Sequence, residues 1–346
     1  MSAVTDKPRH WGITWGLIAS AGLMVGSATA SAQQHPTLTV YTYDSFVADW
    51  GPGPQVEAAF EAVCGCDLAF VALGDGVDLL SRLRLEGRTT RADIVLGLDT
   101  NLTAEAAATG LFEPHGMDVA AAADNLPIEW DDTLFVPFDW SSFAIVYDTT
   151  AIADAPISLR AFIEASDIPL VIQDPRTSTP GLGLLLWVKS VYGDEAAAAW
   201  AQLRPRIVAT TQGWSEAYGM FRAGEVPAVL SYSTSPPYHV LIEADETVAA
   251  MAFEEGHYLQ VEVAGRVAGS AHPDLAAQFL AFLLDEPVQT VLPTTNWMYP
   301  VVTPVDGLPA AFDFAISPDQ ALLFEPETVA AHRRGWVDEW LAAMSR

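Results

Sequence analysis

Aromatic rings, hydroxyls and carboxylates are gathered in a few short segments of this chain. YTYDSFVADWGPGP, residues 41–54, places Tyr43, Phe46 and Trp50 beside Asp44 and Asp49. The mixture recurs in DPRTSTPG at 174–181, GWSEAYG at 213–219, YSTSPPYH at 232–239 and TNWMYP at 295–300. A Tyr or Trp face attracts a desolvated cation through its ring quadrupole, by ~1–2 kcal/mol. Hydroxyls and free N–H groups where a strand runs into a helix suit an anion or the polar edge of a heterocycle. Taken singly, each residue has a plainer role. A lone Trp or Tyr is usually core filler with a satisfied polar tip. Ser178 or Thr179 can cap the helix GLGLLLW, and Asp75 its own helix. Their coincidence at strand ends in both halves of the chain points instead to a small-molecule cleft.

Covalent and metal chemistry is poorly served. None of the seven His shows metal-site spacing, GWSEA lacks the second Gly of a nucleophile elbow, and GLGLLL is not a dinucleotide loop. The two cysteines stand as Cys64-Gly65-Cys66. A bridge at that spacing is strained, a metal site needs further ligands, and a catalytic thiol needs a nearby base. An oxidising compartment favours a disulfide, but spacing alone leaves the three open.

Strand and helix patterns alternate around these segments. TLTVYTY, DLAFVAL and ADIVLGL read as strands, the third apolar enough for burial on both faces. Between them, QVEAAFEAV places Val56, Phe60 and Val63 at helical spacing behind Pro54, and DGVDLLSRLRLEG forms a face of Leu79, Leu80 and Leu83 closed by Gly87. This β-α-β-α-β order predicts an open parallel sheet with ligands at its carboxyl edge, where Tyr43, Asp75 and Asp99 fall. A long extended run, Leu134 to Tyr147, then reaches a second α/β series: PLVIQD, GLGLLLWVKSVYG, DEAAAAWAQL, RIVATT, WSEAYGMFRAGE and VPAVLSY. HYLQVEVAGRVAGS can carry the chain back, before DLAAQFLAFLLDE and ETVAAHRRGWVDEWLAAM. Two crossovers between two α/β lobes predict a two-domain clamp.

The first residues carry Lys7 and Arg9, an apolar stretch and the small-residue pattern ATASAQQ, which reads as an export signal cleaved after Ala32. The expected division is 1–32 signal peptide, 33–140 plus 256–346 lobe 1, and 141–255 lobe 2. The remaining chain, roughly 310 residues, is long enough for two lobes with real cores. The 346 residues carry 44 Asp and Glu against 16 Lys and Arg, a net charge of -28; losing Asp6, Lys7 and Arg9 with the signal leaves -29. That field argues against nucleic acid or anionic lipid as a partner, and it would steer a cation inward.

LTVYTYDSFVADWGPGP, DGVDLLSRLRLEG, ADIVLGLD, QDPRTSTPGLGLLLW, GWSEAYG, SYSTSPPYH, EGHYLQVEV and NWMYP resemble, in the same order, the periplasmic thiamine-binding proteins of bacterial thiamine ABC transporters. The resemblance implies a type II periplasmic binding protein fold, α/β and two-lobed, with a ligand cleft between lobes joined by two crossover strands. It implies a soluble periplasmic monomer that captures thiamine, and its mono- and diphosphate, and delivers it to a membrane permease. No catalysis, cofactor or metal is implied. By the same resemblance, Asp75, Gly76, Ser178 and Thr179 meet polar groups of the ligand, and Trp214, Tyr232, Ser233, Thr234 and Ser235 complete the site. Tyr43, Trp50, Tyr238 and Trp297 form aromatic walls. The hydroxyl run reads Tyr-Ser-Thr-Ser where the family reads Tyr-Thr-Thr-Ser. The residue types fit such a cargo: thiamine joins a thiazolium cation to an aminopyrimidine, and needs π faces for one and matched donors and acceptors for the other. The rivals are a clamp for a polyamine or ferric iron, and a cysteine-type thiaminase, which shares this general fold and needs a nucleophilic Cys beside a base.

Overall fold

The computed structural model describes residues 35–317 and 320–345, so the expected signal peptide lies outside the described residues. Twelve strands occur among them: β1 (Thr37–Tyr43), β2 (Asp67–Leu73), β3 (Ile94–Asp99), β4 (Phe112–Glu113), β5 (Phe135–Asp148), β6 (Leu170–Gln173), β7 (Ile207–Thr211), β8 (Ala228–Tyr232), β9 (Val248–Ala250), β10 (His257–Val267), β11 (Tyr299–Pro300) and β12 (Ala321–Leu322). The main path runs β2-β1-β3-β10-β5-β8-β6-β7.

β1 pairs in parallel with β2 and β3, as the alternation of strands and helices predicts. The parallel run stops there, because β10 lies antiparallel against β3 and β5 antiparallel against β10. β5 links the two halves of the topology. Its first half pairs with β10 as far as Ser142, and from Phe143 onward it pairs with β8. One strand thus belongs to two sheets, and the fourteen-residue extended run is explained by that double duty. In the second sheet, β8, β6 and β7 are parallel neighbours again. The lobes are therefore two α/β units fused along β5 and β10. The helix Pro326–Met344 packs against the short helix Thr103–Ala107 of the first unit and against Thr179–Tyr192 and Ala196–Leu203 of the second.

The entrance of the chain into its first helix has a feature the sequence pattern missed. Between β1 and the helix Gly53–Cys64 stands one helical turn, Asp44–Val47. Phe46 on that turn is fully buried and makes edge contacts with Phe70 and Phe138, at centroid distances of 5.6 and 6.3 Å. The following loop folds back over it so closely that a Cβ on Gly51 or Gly53 would meet the Phe46 carbonyl oxygen at 2.6 or 2.7 Å. Glycine is required at both places by that approach.

The helix itself buries Val56 and Phe60, the latter against Phe279 and Phe282, but leaves Val63 62% exposed. Its last turn overhangs the core, so the apolar face expected of Val63 has nothing to pack on. Gly65 then takes the left-handed conformation, and Cys64 is joined to Cys66 by a disulfide. No single described helix is long and apolar enough to cross a membrane.

Candidate functional site

A cavity of about 490 Å³ opens between the two units. The β1–β3 unit lines it with Tyr43, Trp50, Asp75 and Gly76, joined by Glu262 of β10 and by Asn296 and Trp297 of the loop before β11. The other unit contributes Thr179, Trp214, Tyr218, Arg222, Tyr232, Ser235 and Tyr238.

Three helices end at this cavity with their N-termini. Asp75 and Ser178 occupy the N-cap positions of Gly76–Glu86 and Thr179–Tyr192, yet neither side chain caps its own helix. They bond each other instead: Ser178 Oγ donates to Asp75 Oδ2 at 2.5 Å, and the Trp214 N–H, first in its helix, donates to the same oxygen at 3.2 Å. In return, the Gly76 N–H donates to Thr179 Oγ1 at 3.0 Å. Two of the three helix starts thus have an otherwise free N–H, that of Gly76 and that of Trp214, satisfied from the opposite unit. A second tie runs from Ser215 Oγ to Asp44 Oδ1, at 3.1 Å. The arrangement is that of a closed clamp. Gly76 is confined by it, since a Cβ there would stand 2.6 Å from the Gly97 carbonyl oxygen and 2.8 Å from Thr179 Oγ1.

Asp75 is 7% exposed, and burial pushes its carboxyl up to about 7 although the Ser178 hydroxyl works in the other direction. Both donors use Oδ2, and among the described residues no donor reaches Oδ1. A buried carboxylate with one free oxygen is a receptor for a ligand N–H or cation.

The aromatic walls are held by their own contacts. Trp214 stacks on Tyr218 at 4.7 Å and 22°, and its Nε1 donates to Ser231 Oγ at 2.8 Å. Trp50, 53% exposed, faces Trp214 across the mouth with centroids 6.3 Å apart. Tyr238 and Trp297 meet edge to face at 5.3 Å and 83°. Trp297 takes φ = 55°, a left-handed conformation that a bulky side chain adopts only against strain. Such strain is concentrated where side-chain placement matters more than stability.

Ten of the thirteen residues singled out in the sequence line the cavity: Tyr43, Trp50, Asp75, Gly76, Thr179, Trp214, Tyr232, Ser235, Tyr238 and Trp297. Ser178, Ser233 and Thr234 do not. Ser178 lies behind Asp75, and Ser233 and Thr234 are buried with their hydroxyls 3.1 and 3.0 Å from Ser141 Oγ, tying the floor to β5. Asp99, at the end of β3, is also fully buried, bonded to Asn101 at 2.8 Å.

Sequence reasoning overlooked Glu262, Arg222, Tyr218 and Asn296. Tyr218 and Asn296 sit inside GWSEAYG and TNWMYP, one helical turn or one residue from the Trp that drew attention. Glu262 had a stronger signal, as an acid between Val261 and Val263 in a buried strand, where an unpaired charge is costly. Arg222 pairs with Glu243 at 2.5 Å and lies over the Tyr238 ring at 5.1 Å. It is the cationic side chain of the cavity lining.

Comparison with known proteins places this geometry. Residues 55–313 match the family model described as bacterial extracellular solute-binding protein. The thiamine-binding periplasmic protein of Escherichia coli (strain K12) is 54% identical over 319 residues, covering 92% of this chain and 96% of that protein. The thiamine-binding periplasmic protein of Brucella suis biovar 1 (strain 1330) is 51% identical over 335 residues, covering 96% and 98%. A solved structure described as a periplasmic thiamin binding protein superposes with a TM-score of 0.87 at 52% identity, over 96% of this chain and 100% of that one.

Proposed function

Since this chain belongs to the family of bacterial extracellular solute-binding proteins, we infer the cargo from the relatives it matches end to end and from the cavity's chemistry. The protein is a periplasmic substrate-binding protein of an ABC importer, which captures thiamine and delivers it to a membrane permease. The observation that carries the reading at the level of the site is the pairing of aromatic walls with a buried carboxylate that keeps one oxygen free.

In this reading the rings of Tyr43, Trp214, Tyr238 and Trp297 face the planar rings of the ligand, and the thiazolium charge is held by their π faces. Asp75 Oδ1 accepts from the exocyclic amine of the aminopyrimidine. Thr179, Tyr232 and Ser235 supply the remaining polar contacts, while Ser178, Ser233 and Thr234 position these groups from behind. The cross-lobe bonds of Asp75 make closure and capture one event: a bound ligand completes the hydrogen bonding of a carboxylate that closing removes from water. We place the hinge where β5 and β10 cross between the lobes, dividing the mature chain into 33–140 plus 256–346 and 141–255.

Arg222, at the mouth beside Tyr238, favours binding of thiamine mono- and diphosphate as well, since a guanidinium can exchange Glu243 for a phosphate. The molecule works as a monomer, with thiamine as transported ligand and no cofactor. A thiaminase would need a free thiol in the cleft, whereas both cysteines are bridged to one another at the end of the helix Gly53–Cys64. A polyamine clamp would need carboxylates spaced along the cleft, and here aromatic rings outnumber them.

Calorimetric titration of the mature protein with thiamine, its mono- and diphosphate, spermidine and ferric citrate tests the reading. Tight binding of thiamine is expected. Failure of thiamine to bind while spermidine or iron binds tightly would overturn it.

A further inference from the structure

Three carboxylates stand side by side beneath the cavity. Asp99 of β3 is directly opposite Glu262 of β10, and Glu262 is directly opposite Asp139 of β5, so that the three share one face across adjacent strands. Like charges in register oppose sheet formation, and here the row is buried: Asp99 and Asp139 are fully inaccessible and Glu262 is 5% exposed. The ladder is irregular beside Glu262, slipping between Glu262 and Val263 against β5 and between Val263 and Ala264 against β3. Bulges of this kind re-aim a side chain next to a site. Of the three, Glu262 reaches the cavity wall.

The hydrogen bonds around the row are incomplete: Asp99 accepts from Asn101 Nδ2 through Oδ2, and its Oδ1 has no donor among the described residues. Glu262 Oε2 accepts from the Tyr43 hydroxyl at 2.7 Å and Oε1 from Gln260 Nε2 at 2.8 Å. Asp139 Oδ2 accepts from Asn296 Nδ2 at 2.6 Å, but Asp139 Oδ1 has no donor. Neither carboxyl has an Arg, Lys or His partner among the described residues, and the two lie within hydrogen-bonding reach of one another. Two ionised carboxylates have no proton with which to bond. A single proton shared between them would let the two carboxyls bond each other and halve the buried charge of the pair.

We propose that the Asp139–Glu262 pair is a cation-sensing floor for the cavity: it holds one proton when the cavity is empty, and capture of a cationic ligand expels that proton to solvent. The step is a simple exchange of charge. The protonated pair and the ligand cation become the doubly ionised pair with the cation bound, and the proton passes to water. Glu262 is thereby a specificity residue, which admits a cation and resists a neutral ligand of the same shape.

The surroundings agree. Burial, then the Asp139–Glu262 repulsion, holds the Asp139 carboxyl well above the carboxylate range; Glu262 is pushed up to about 8, mainly by burial, against the hydrogen bond from Tyr43. The other groups facing the pair are Tyr43 from β1, Asp99 from β3, Asp75 at its helix start and Tyr232 from β8, whose phenol the same acids raise further after burial. All are neutral or acidic, and the cationic side chain of the cavity lining, Arg222, is paired with Glu243. Asp75 acts in the contrary sense, because closing raises its affinity for a proton and it can only take one up.

This proposal rests on the thiamine reading, and the test separates the two. Thiamine is titrated calorimetrically at pH 7.5 in phosphate and in Tris, whose different ionisation heats report protons released. The wild type should release on the order of half a proton per thiamine, the share held by the pair at this pH less what Asp75 takes up, and the neutral fragment 4-amino-5-hydroxymethyl-2-methylpyrimidine should release almost none. Both Glu262→Gln and Asp139→Asn should abolish the release. Heat of thiamine binding that is independent of buffer, or release that survives both substitutions, overturns the proposal. If thiamine does not bind, the functional reading falls, and infrared spectra of the empty protein still decide the proton. A protonated carboxyl band present in wild type at pH 7.5 and absent from both variants supports the shared proton, and its absence from wild type overturns it.

Discussion

Removing the charge on Asp75 should make the empty clamp close more readily. With the lobes apart, Asp75 is hydrated and titrates near the ordinary 3.8; in the closed structure its carboxyl is pushed up to about 7 by burial. A group whose pKa is raised by closing favours the closed form below its ordinary value, and that advantage is lost as pH rises through about 7. A shift of three units at ~1.4 kcal/mol each opposes closure by ~4 kcal/mol above pH 7, and by ~2 kcal/mol at pH 5, where the buried form carries its proton. Because Asp75 is nearly inaccessible, solvent screening reduces this little. Asp75→Asn abolishes the penalty but weakens the bonds from Ser178 Oγ and the Trp214 N–H, by ~1–2 kcal/mol together. The net gain is ~2 kcal/mol toward closure, about 30-fold in population. Small-angle X-ray scattering of ligand-free protein reads this as a smaller radius of gyration, for the variant at pH 8 and for wild type at pH 5, with the thiamine complex as the closed reference. An identical radius for wild type and variant at pH 8, or a wild type that opens at pH 5, would refute the reasoning.

Three other perturbations probe the walls, the core and the field. Trp297→Gly relieves the left-handed strain at φ = 55° while deleting an aromatic wall, so thiamine affinity by titration should fall ~10-fold with the melting temperature unchanged or raised. Gly183→Ala drives a Cβ to within 2.0 Å of the Phe143 ring, where β5 passes from one sheet to the other; denaturant unfolding should show a loss of ~2–3 kcal/mol. The net charge of -28 should steer the thiazolium inward, and stopped-flow association should slow as salt rises; an on-rate flat with salt would leave the acidity as mere solubility.

Much of the frame was legible because it depends on periodicity and punctuation. IVLGL is apolar throughout and proves buried along its whole length, and the run Leu134–Tyr147 had no helix signal because a strand serving two sheets has no room for one. What escaped was anything decided by the partner rather than by the residue. Antiparallel insertion of β10 beside β3 cannot be read from either strand alone. The caps show the limit most clearly. By local rules Asp75 and Ser178 should each bond their own helix, and sequence reasoning set that role against a ligand role as alternatives. In the closed structure each turns from its helix to the other, so the position that local chemistry assigns to capping becomes the latch between lobes. Glu262 escaped for the opposite reason. Its cost is visible locally, as an acid in an apolar strand, but its use is not, since only the register that brings it opposite Asp139 and Asp99 turns one buried acid into a row of three. A pair that must share a proton is a property of two strands far apart in sequence, and it is there that a charge-selective floor can be built without any residue that looks catalytic or ligand-binding on its own.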